Sequence, residues 1–390
     1  MTTVLDFTMG ESAAELRGRL RRMVAEFFPA DFLGAFTDDP ADLAMTQQFS
    51  RKLAGEGLLT VAWPREFGGS DGSVWEQTVV REEMWAHHEP RGPQYMGLNW
   101  VGPAIMAYGT AEQKALHLPP IATGDAIWCQ GFSEPESGSD LASLQTRATR
   151  VGDHWEITGQ KIWTSYAGMA GWCVLAARTG PKDSGRRGIS LFLIPMDREG
   201  ITVRPVRAML GPHHLNECFF DSVVATDGEM LGEVDAGWGV MRTALAHERV
   251  GIARYARCER LLWLLRDVLR HEWTDHDEGV RNDWASALVQ VRVARLLAYR
   301  VVERQEGNQM VDLEASQARI AATTCDQQVA EVVSQLLGPR SLLGPAAGAP
   351  SHGAFEDHWR YAQAATVASG TIEIQREIVS RELLGRPAVG

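Results

Sequence analysis

A multi-domain α+β protein is predicted, with a β-barrel or sandwich domain set between two helical domains. The first sign is helical periodicity over residues 1–126, which returns after Gly237. The second is a set of short β-rich runs between them at near-regular spacing. The third is size: 390 residues, 45% of them hydrophobic, can bury more than one core. The expected boundaries are an N-terminal helical domain over 1–126, a β domain over 127–235 and a C-terminal helical domain over 236–390.

Taken in order, Ser12 and Glu15 stand at capping-box spacing and predict a first helix through residues 11–28. A second helix runs from Asp42 and stops at Gly55. The segment Trp63–Gly69 reads as a turn rather than a phosphate loop, because no strand–helix frame surrounds it. A further helix holds Trp75 to His87. The β runs are Trp172–Ala177, Ile189–Met196, Ile201–Val206 and Glu217–Val224, with turn clusters such as Lys182–Gly188 between them. Helical periodicity then covers Val240–Leu269, Asn282–Glu306 and Leu313–Leu337, and a proline- and glycine-rich loop, Gly338–Gly353, precedes the last helices. No internal repeat and no charged low-complexity tail is present.

Composition narrows the function. The net charge of −12 argues against nucleic acid as a partner, since phosphate backbones attract basic surfaces. No apolar run is long enough to span a bilayer, and the N-terminus has no apolar h-region, so neither a membrane protein nor a signal peptide is expected. The five cysteines are scattered and form no CxxC pair, which points to reduced thiols and a cytoplasmic protein. Lysine is limited to Lys52, Lys114, Lys161 and Lys182. A polyanionic ligand would therefore rely on arginine, which suits bidentate phosphate recognition.

The most informative stretch is Trp128–Tyr166. An apolar run from Ile127 to Phe132 ends on Ser133, Glu134 and Pro135, and a small-residue loop follows at Ser137, Gly138, Ser139 and Asp140. Such a loop exposes backbone N–H groups and hydroxyls to a phosphate or a polar heterocycle. An alternating strand begins at His154, turns at Gly159, and a second strand carries Trp163, Thr164 and Ser165. Hydrogen-bonding groups beside a large flat aromatic suit a planar cofactor. A β-hairpin with ordinary turns and a core tryptophan is the other reading.

The residue order favours the cofactor. SEPESGSDLASLQTRA, from Ser133, followed by GQKIWTS, from Gly159, resembles the flavin-binding signature of the acyl-CoA dehydrogenase superfamily, roughly TEP-x-AGSD and GxKxWIT. The tail, Ser369–Arg376 with Arg381–Gly385, resembles that family's EGTxEIQR and RxLLG. Tyr108–Lys114 with Leu118–Pro120, and the turn at Trp63–Gly69, resemble its YGTxEQK and P-x-x-x-GG segments. The blocks lie in the family's order and span most of the chain. The resemblance implies a C-terminal four-helix bundle, bound FAD, and α,β-dehydrogenation of an acyl-CoA thioester to a trans-2-enoyl-CoA. An electron-transfer flavoprotein is the implied acceptor, and a homo-oligomer (dimer or tetramer) or a hetero-oligomer with a related chain the implied assembly.

The same resemblance assigns residues. Phe132 and Ser133 lie against the isoalloxazine, Gly138 and Ser139 approach the pyrophosphate and substrate side, Trp163 flanks the ring, and Ser165 donates near N5. Fixed donors aimed at developing charge lower a barrier. Gln335 falls at the adenine-side glutamine, Thr371 and Glu373 on the cofactor side of the tail motif, and Ser369, Gly370 and Arg249 on the substrate side. Many members carry the catalytic glutamate where this chain has Ser369, whose un-ionised hydroxyl is a poor base. The isovaleryl and long-chain type carries it on the first long helix after the β domain, and Glu248 stands there. A solvated Glu248 paired with Arg249 or His247 is the alternative. The helix-borne base goes in the family with room for branched or bulky acyl groups.

A second departure is His271–Glu278, where the family has RxxFG; neither its arginine nor its phenylalanine is in register, Arg270 being close. His271 and His276 are five apart, about 140° around a helix, unlike the i, i+4 pair of a zinc site, so a polar loop is expected there. His87–His88 and His213–His214 are expected at a polar surface, and no metal site is expected. Two other functions remain open: a non-catalytic or half-site partner subunit, and a flavin oxidase or monooxygenase on the same fold.

Overall fold

The computed structural model describes residues 9–34, 40–307, 309, 311–345 and 348–385; the side chains of 211–214 and 246–251 lie outside that description. Helices come first: α1 (Glu11–Phe27), α2 (Pro40–Gly55), α3 (Val74–Ala86), α4 (Gln94–Met96), α5 (Gly102–Tyr108) and α6 (Ala111–Ala122). Eight strands follow: β1 (Trp128–Gly131), β2 (Arg147–Val151), β3 (His154–Lys161), β4 (Trp172–Arg178), β5 (Ile189–Pro195), β6 (Ile201–Ala208), β7 (Gly211–Ala225) and β8 (Met230–Leu231). The chain then returns to helix in α7 (Gly237–Gly251), α8 (Arg254–Val268), α9 (Glu278–Glu306), α10 (Asp312–Leu337), α11 (Ala354–Ala364) and α12 (Ile372–Leu384). This is the helical, β, helical order that the periodicity predicts.

The strands form one sheet in the order β6-β7-β3-β2-β4-β5-β8, with β1 pairing parallel to β4. β4 and β5 are apolar along their length and both are buried almost throughout, as a fully covered strand should be. β6 alternates, its Ile201 and Val203 packing on a core made by Ile157, Leu175, Phe192, Ile194, Phe220 and Val223. All five cysteines are buried and unpaired: Cys129, Cys173 and Cys218 under the sheet, Cys258 and Cys325 among the late helices.

Compactness groups these elements differently from chain order. One unit takes residues 1–34, 70–90 and 252–390; the other takes 35–69 and 91–251. In the first, α3, α8, α9 and α10 pack together, with Leu261, Leu265, Val291, Val329 and Val333 at the core. In the second, the sheet carries α5, α6 and α7.

Several local expectations are corrected. Ser12 does not cap α1: Gly10, at φ 89°, precedes a helix already begun at Glu11, and no side chain caps it. Capping boxes form instead at Ser73 with Glu76 and at Thr110 with Gln113. The periodicity over Val240–Leu269 belongs to two helices, broken at Ile252 and Ala253. His88 is buried rather than exposed, at a left-handed φ of 62°. Burial, with Arg257 and Arg260 beside it, drives its pKa well below the usual histidine value. His213 and His214 lie outside the described side chains.

Candidate active site

Three strands of the second unit position the residues of the central motif. β1 delivers Phe132 and Ser133 at its end, and β3 ends on Lys161, just before Ile162 and Trp163. One buried ion pair joins the two. Lys161 has no exposed surface, and its Nζ donates to Glu134 Oε1 at 2.8 Å and to the Phe132 carbonyl at 3.0 Å. Glu134 Oε1 also accepts from the Thr146 amide at 2.8 Å, and Oε2 accepts from the Gln145 amide at 2.6 Å. Burial opposes ionisation of Glu134, but Lys161 and these amides outweigh it and hold the carboxyl below its usual range. Burial lowers Lys161 to about 8, with Glu134 pulling the other way. The Ile162 amide then donates to the Ser133 carbonyl at 3.0 Å, so the two motif halves lie side by side.

Beyond Lys161 the chain is clamped again. The Thr164 amide donates to the Asn216 carbonyl at 2.9 Å, and Asn216 Nδ2 returns a bond to the Thr164 carbonyl at 3.2 Å. Thr164 is buried, whereas Trp163 is 55% exposed and Ser165 half-buried. Trp163 and Tyr166 both take left-handed φ values, 60° and 63°, which cost a bulky residue strain and so mark a segment held by its surroundings. The core reading of Trp163 is therefore overturned: its indole lies open on the surface. Ser133 is half-buried, and Gly138 and Ser139 are exposed, with nothing within 4 Å of where a Cβ on Gly138 would stand. An uncovered flat ring next to hydroxyls and an open small-residue loop fits a planar polar heterocycle with a phosphate tail.

The remaining expected residues belong to other elements of the chain. Glu248 and Arg249 belong to α7, which packs on β5, but their side chains lie outside the description. Ser369, Gly370, Thr371, Glu373 and Gln335 all belong to the first unit. Ser369 and Gly370 take φ 56° and 82°, and Gln375 Nε2 donates to the Ser369 carbonyl at 3.2 Å. Thr371 caps α12 by accepting from the Ile374 amide at 3.2 Å. Glu373 lies exposed in the first turn, and Gln335 is exposed near the end of α10.

Glu134 and Lys161 fall inside the two halves of the motif, and nothing local to either marks a task for it. Their opposite charges, one in each half of the motif, were the available signal. The segment His271–His276 is a run of turns, as expected of a polar loop, but Trp273 packs edge-on against Trp284 at 5.5 Å. Arg266 lies over both indoles. Arg270 and Trp273 stand three residues apart, so the segment keeps an arginine–aromatic spacing with indole in place of phenyl. A second polar cluster, in the first unit, was not anticipated. Asp326 there accepts from Arg254 at 3.2 Å and from the Cys258 thiol at 3.3 Å, while His358 Nε2 meets the Asp326 carbonyl at 3.1 Å. Burial keeps that thiol protonated and His358 neutral, at about 4, so the cluster is a satisfied ion pair in a helical core.

Comparison with known proteins bears on this geometry. Residues 14–125, 129–223 and 235–384 match in turn the N-terminal, middle and C-terminal domains of acyl-CoA dehydrogenases. The chain belongs to the acyl-CoA dehydrogenase family. It is 32% identical to acyl-CoA dehydrogenase FadE26 of Mycobacterium tuberculosis, over 96% of both chains. It is 30% identical to acyl-CoA dehydrogenase IpdE1 of the same organism, over 97% of both. Among solved structures, the Tcur3481–Tcur3483 steroid ACAD superposes with a TM-score of 0.87 at 31% identity, covering 97% of this chain and 98% of that one. The ChsE4–ChsE5 complex from Mycobacterium tuberculosis does so with a TM-score of 0.83 at 30% identity, covering 100% of both. The chain is thus an oxidoreductase of a flavoprotein family, and FAD is its cofactor. No helix among the described residues is long and apolar enough to cross a membrane.

Proposed function

We propose that this acyl-CoA dehydrogenase desaturates a bulky, steroid-type acyl-CoA thioester between Cα and Cβ, with Glu248 as the base. The observation that carries the reading is the Glu134–Lys161 pair, which ties the segment carrying Ser133 to the one that leads into Trp163 and Ser165. FAD, when bound, supplies the hydride acceptor. Phe132, Ser133, Trp163 and Ser165 hold its ring system, with the Ser165 hydroxyl donating towards N5. Gly138 and Ser139 face the pyrophosphate, and Gln335, Thr371 and Glu373 serve its far end. The Ser369 amide and Gly370 polarise the thioester carbonyl, which makes the α-proton acidic; Glu248 accepts that proton, and Arg249 orients the substrate. A carboxylate can do this because a general base needs only a pKa brought near the working pH. The steroid-type substrate is supported by the likeness to a steroid ACAD.

Anaerobic titration with acyl-CoA tests the base. Glu248→Gln should keep the bound flavin's absorbance and bleach it roughly 10³-fold more slowly than wild type. Bleaching at the wild-type rate would move the base elsewhere.

A half-site role is the second reading. Both structures compared are two-chain assemblies by description. α9 exposes Val289, Val293 and Leu296, an apolar stripe at i, i+4, i+7 that a related chain would cover. An electron-transfer flavoprotein is the proposed acceptor. A purified chain that takes up FAD only when a related chain is co-expressed would establish the half-site role.

A further inference from the structure

Gln94 is 1% exposed, and neither its carboxamide oxygen nor its nitrogen has a hydrogen-bond partner among the described residues. That group offers two donors and two lone pairs. Leaving a buried polar group unmet forfeits its hydration with nothing in return, so an orphan of this kind calls for something to meet it. The Trp128 indole N–H is in the same position: fully buried and without a partner. The two belong together. Gln94 and Gly97 stand three residues apart on one helical face, and a Cβ on Gly97 would come within 3.4 Å of Trp128 Cδ1, the carbon bonded to that nitrogen. Glycine at 97 lets the helix backbone lie close to the indole edge, with Ile121 Cγ2 3.3 Å from where the same Cβ would stand.

The backbone at this point is unusual. Residues 97–101 form a π-turn between α4 and α5, a rare geometry concentrated at functional sites. Every residue from 91 to 102 is buried, and Met96, Leu98 and Val101 give the surroundings an apolar character. The segment also reaches the cofactor strip within the same unit. The Tyr95 ring packs edge-on against Tyr166 at 6.1 Å, one residue beyond Ser165, and β1 runs from Trp128 directly to the Phe132–Ser133 corner.

We propose that Gln94, with Trp128 beside it, recognises an oxygen carried by the acyl group at a distance from the thioester, a ketone or a hydroxyl. Three donors against one acceptor favour a group rich in lone pairs over an ammonium. An apolar surround favours a neutral oxygen over a carboxylate. The proposal rests on the acyl-CoA reading above and names a feature of the substrate that the reading leaves open.

A matched pair of bulky acyl-CoA thioesters, identical but for a ring ketone replaced by methylene, tests it. Binding is measured by calorimetry with the corresponding 2-enoyl thioesters, and turnover by kcat/KM. Wild type should prefer the ketone by roughly 10-fold or more, because a site built for a polar group rejects the analogue that lacks it. Gln94→Met, similar in volume, should bring that preference to within about twofold. It should leave binding of the methylene thioester and the flavin spectrum unchanged. A wild-type enzyme indifferent to the ketone overturns the proposal, as does a variant that weakens both thioesters equally, which is the result expected if a trapped water alone fills the space. The wild-type comparison needs no variant, so the test survives a Gln94→Met chain that fails to fold. Failure of both thioesters to bleach the wild-type flavin overturns the acyl-CoA reading itself; bleaching without discrimination overturns only this one.

Discussion

Lys161 shows how one side chain can hold a site it does not touch. It is fully buried, donates to the Phe132 carbonyl and neutralises Glu134. Lys161→Met should therefore act as the removal of one partner from a buried pair, which costs roughly 3–5 kcal/mol, because the remaining carboxylate is left uncompensated. Adding Glu134→Gln should recover part of that loss, since two neutral groups carry no stranded charge. Chemical denaturation of both variants, with flavin retention read alongside, checks the expectation; equal stability of wild type and Lys161→Met would refute it. His88 teaches the opposite lesson. From sequence, two adjacent histidines look like polar surface. The fold instead buries the second among Arg257, Arg260 and His358, a set drawn from distant parts of the chain that no local pattern reveals.

At the scale of elements, what was legible depended on whether one segment carried its own signal. β4 and β5 were readable because apolar runs bounded by turns describe a covered strand wherever it lies. The segment 91–102 was not: its arginine, glycine, proline, glutamine and asparagine mixed with apolar residues give no apolar face of their own, yet all of it is buried. Its burial depends on partners far along the chain, among them Trp63. A Cβ on Gly102 would stand 2.2 Å from the Trp63 ring, and one on Gly69 would stand 2.0 Å from the Trp63 carbonyl oxygen. The turn at 63–69 and the start of α5 are thus fitted to one residue, the turn to the Trp63 backbone and α5 to its indole. Gly102→Ala should force that ring aside and destabilise the protein by about 1–3 kcal/mol, a shift that thermal unfolding would detect. An unchanged midpoint would show that the ring has room to move. The break between α7 and α8 escaped detection for a related reason, since the apolar periodicity continues across it while the chain passes from one compact unit to the other.

For the whole molecule, the family and the order of its three regions were readable because motif blocks are spread along most of the chain. The grouping into two units was not, because it depends on which helices pack rather than on where they fall in sequence. Stability against pH is also a property of the whole. Burial holds His117, beneath Trp128 and Trp172, and His358, in the helical core, at about 4 rather than near 6.5. Above pH 6.5 neither the folded nor the unfolded chain protonates them. As the pH falls from 6.5 towards 4, the unfolded chain binds protons that the fold refuses, so stability declines across that window. Glu134, depressed in the fold, extends the decline below its ordinary range of about 4.5. Denaturant midpoints measured from pH 7.5 to 4 should fall steadily; a flat profile to pH 5 would mean that the imidazoles are open to solvent.

The five sequestered thiols turn the protein into its own gauge of opening. Burial raises Cys218 and Cys325 to about 12 and Cys258 well above the usual thiol value, and the neighbouring Cys173 thiol, with burial, does the same for Cys129, so these four offer an alkylating reagent almost no thiolate in the native molecule. Three of the five sulfurs report on the sheet-bearing unit and two on the helical one. Timed iodoacetamide capture, resolved by peptide mass, would therefore reveal which half lets go first under heat or denaturant, without a single engineered probe.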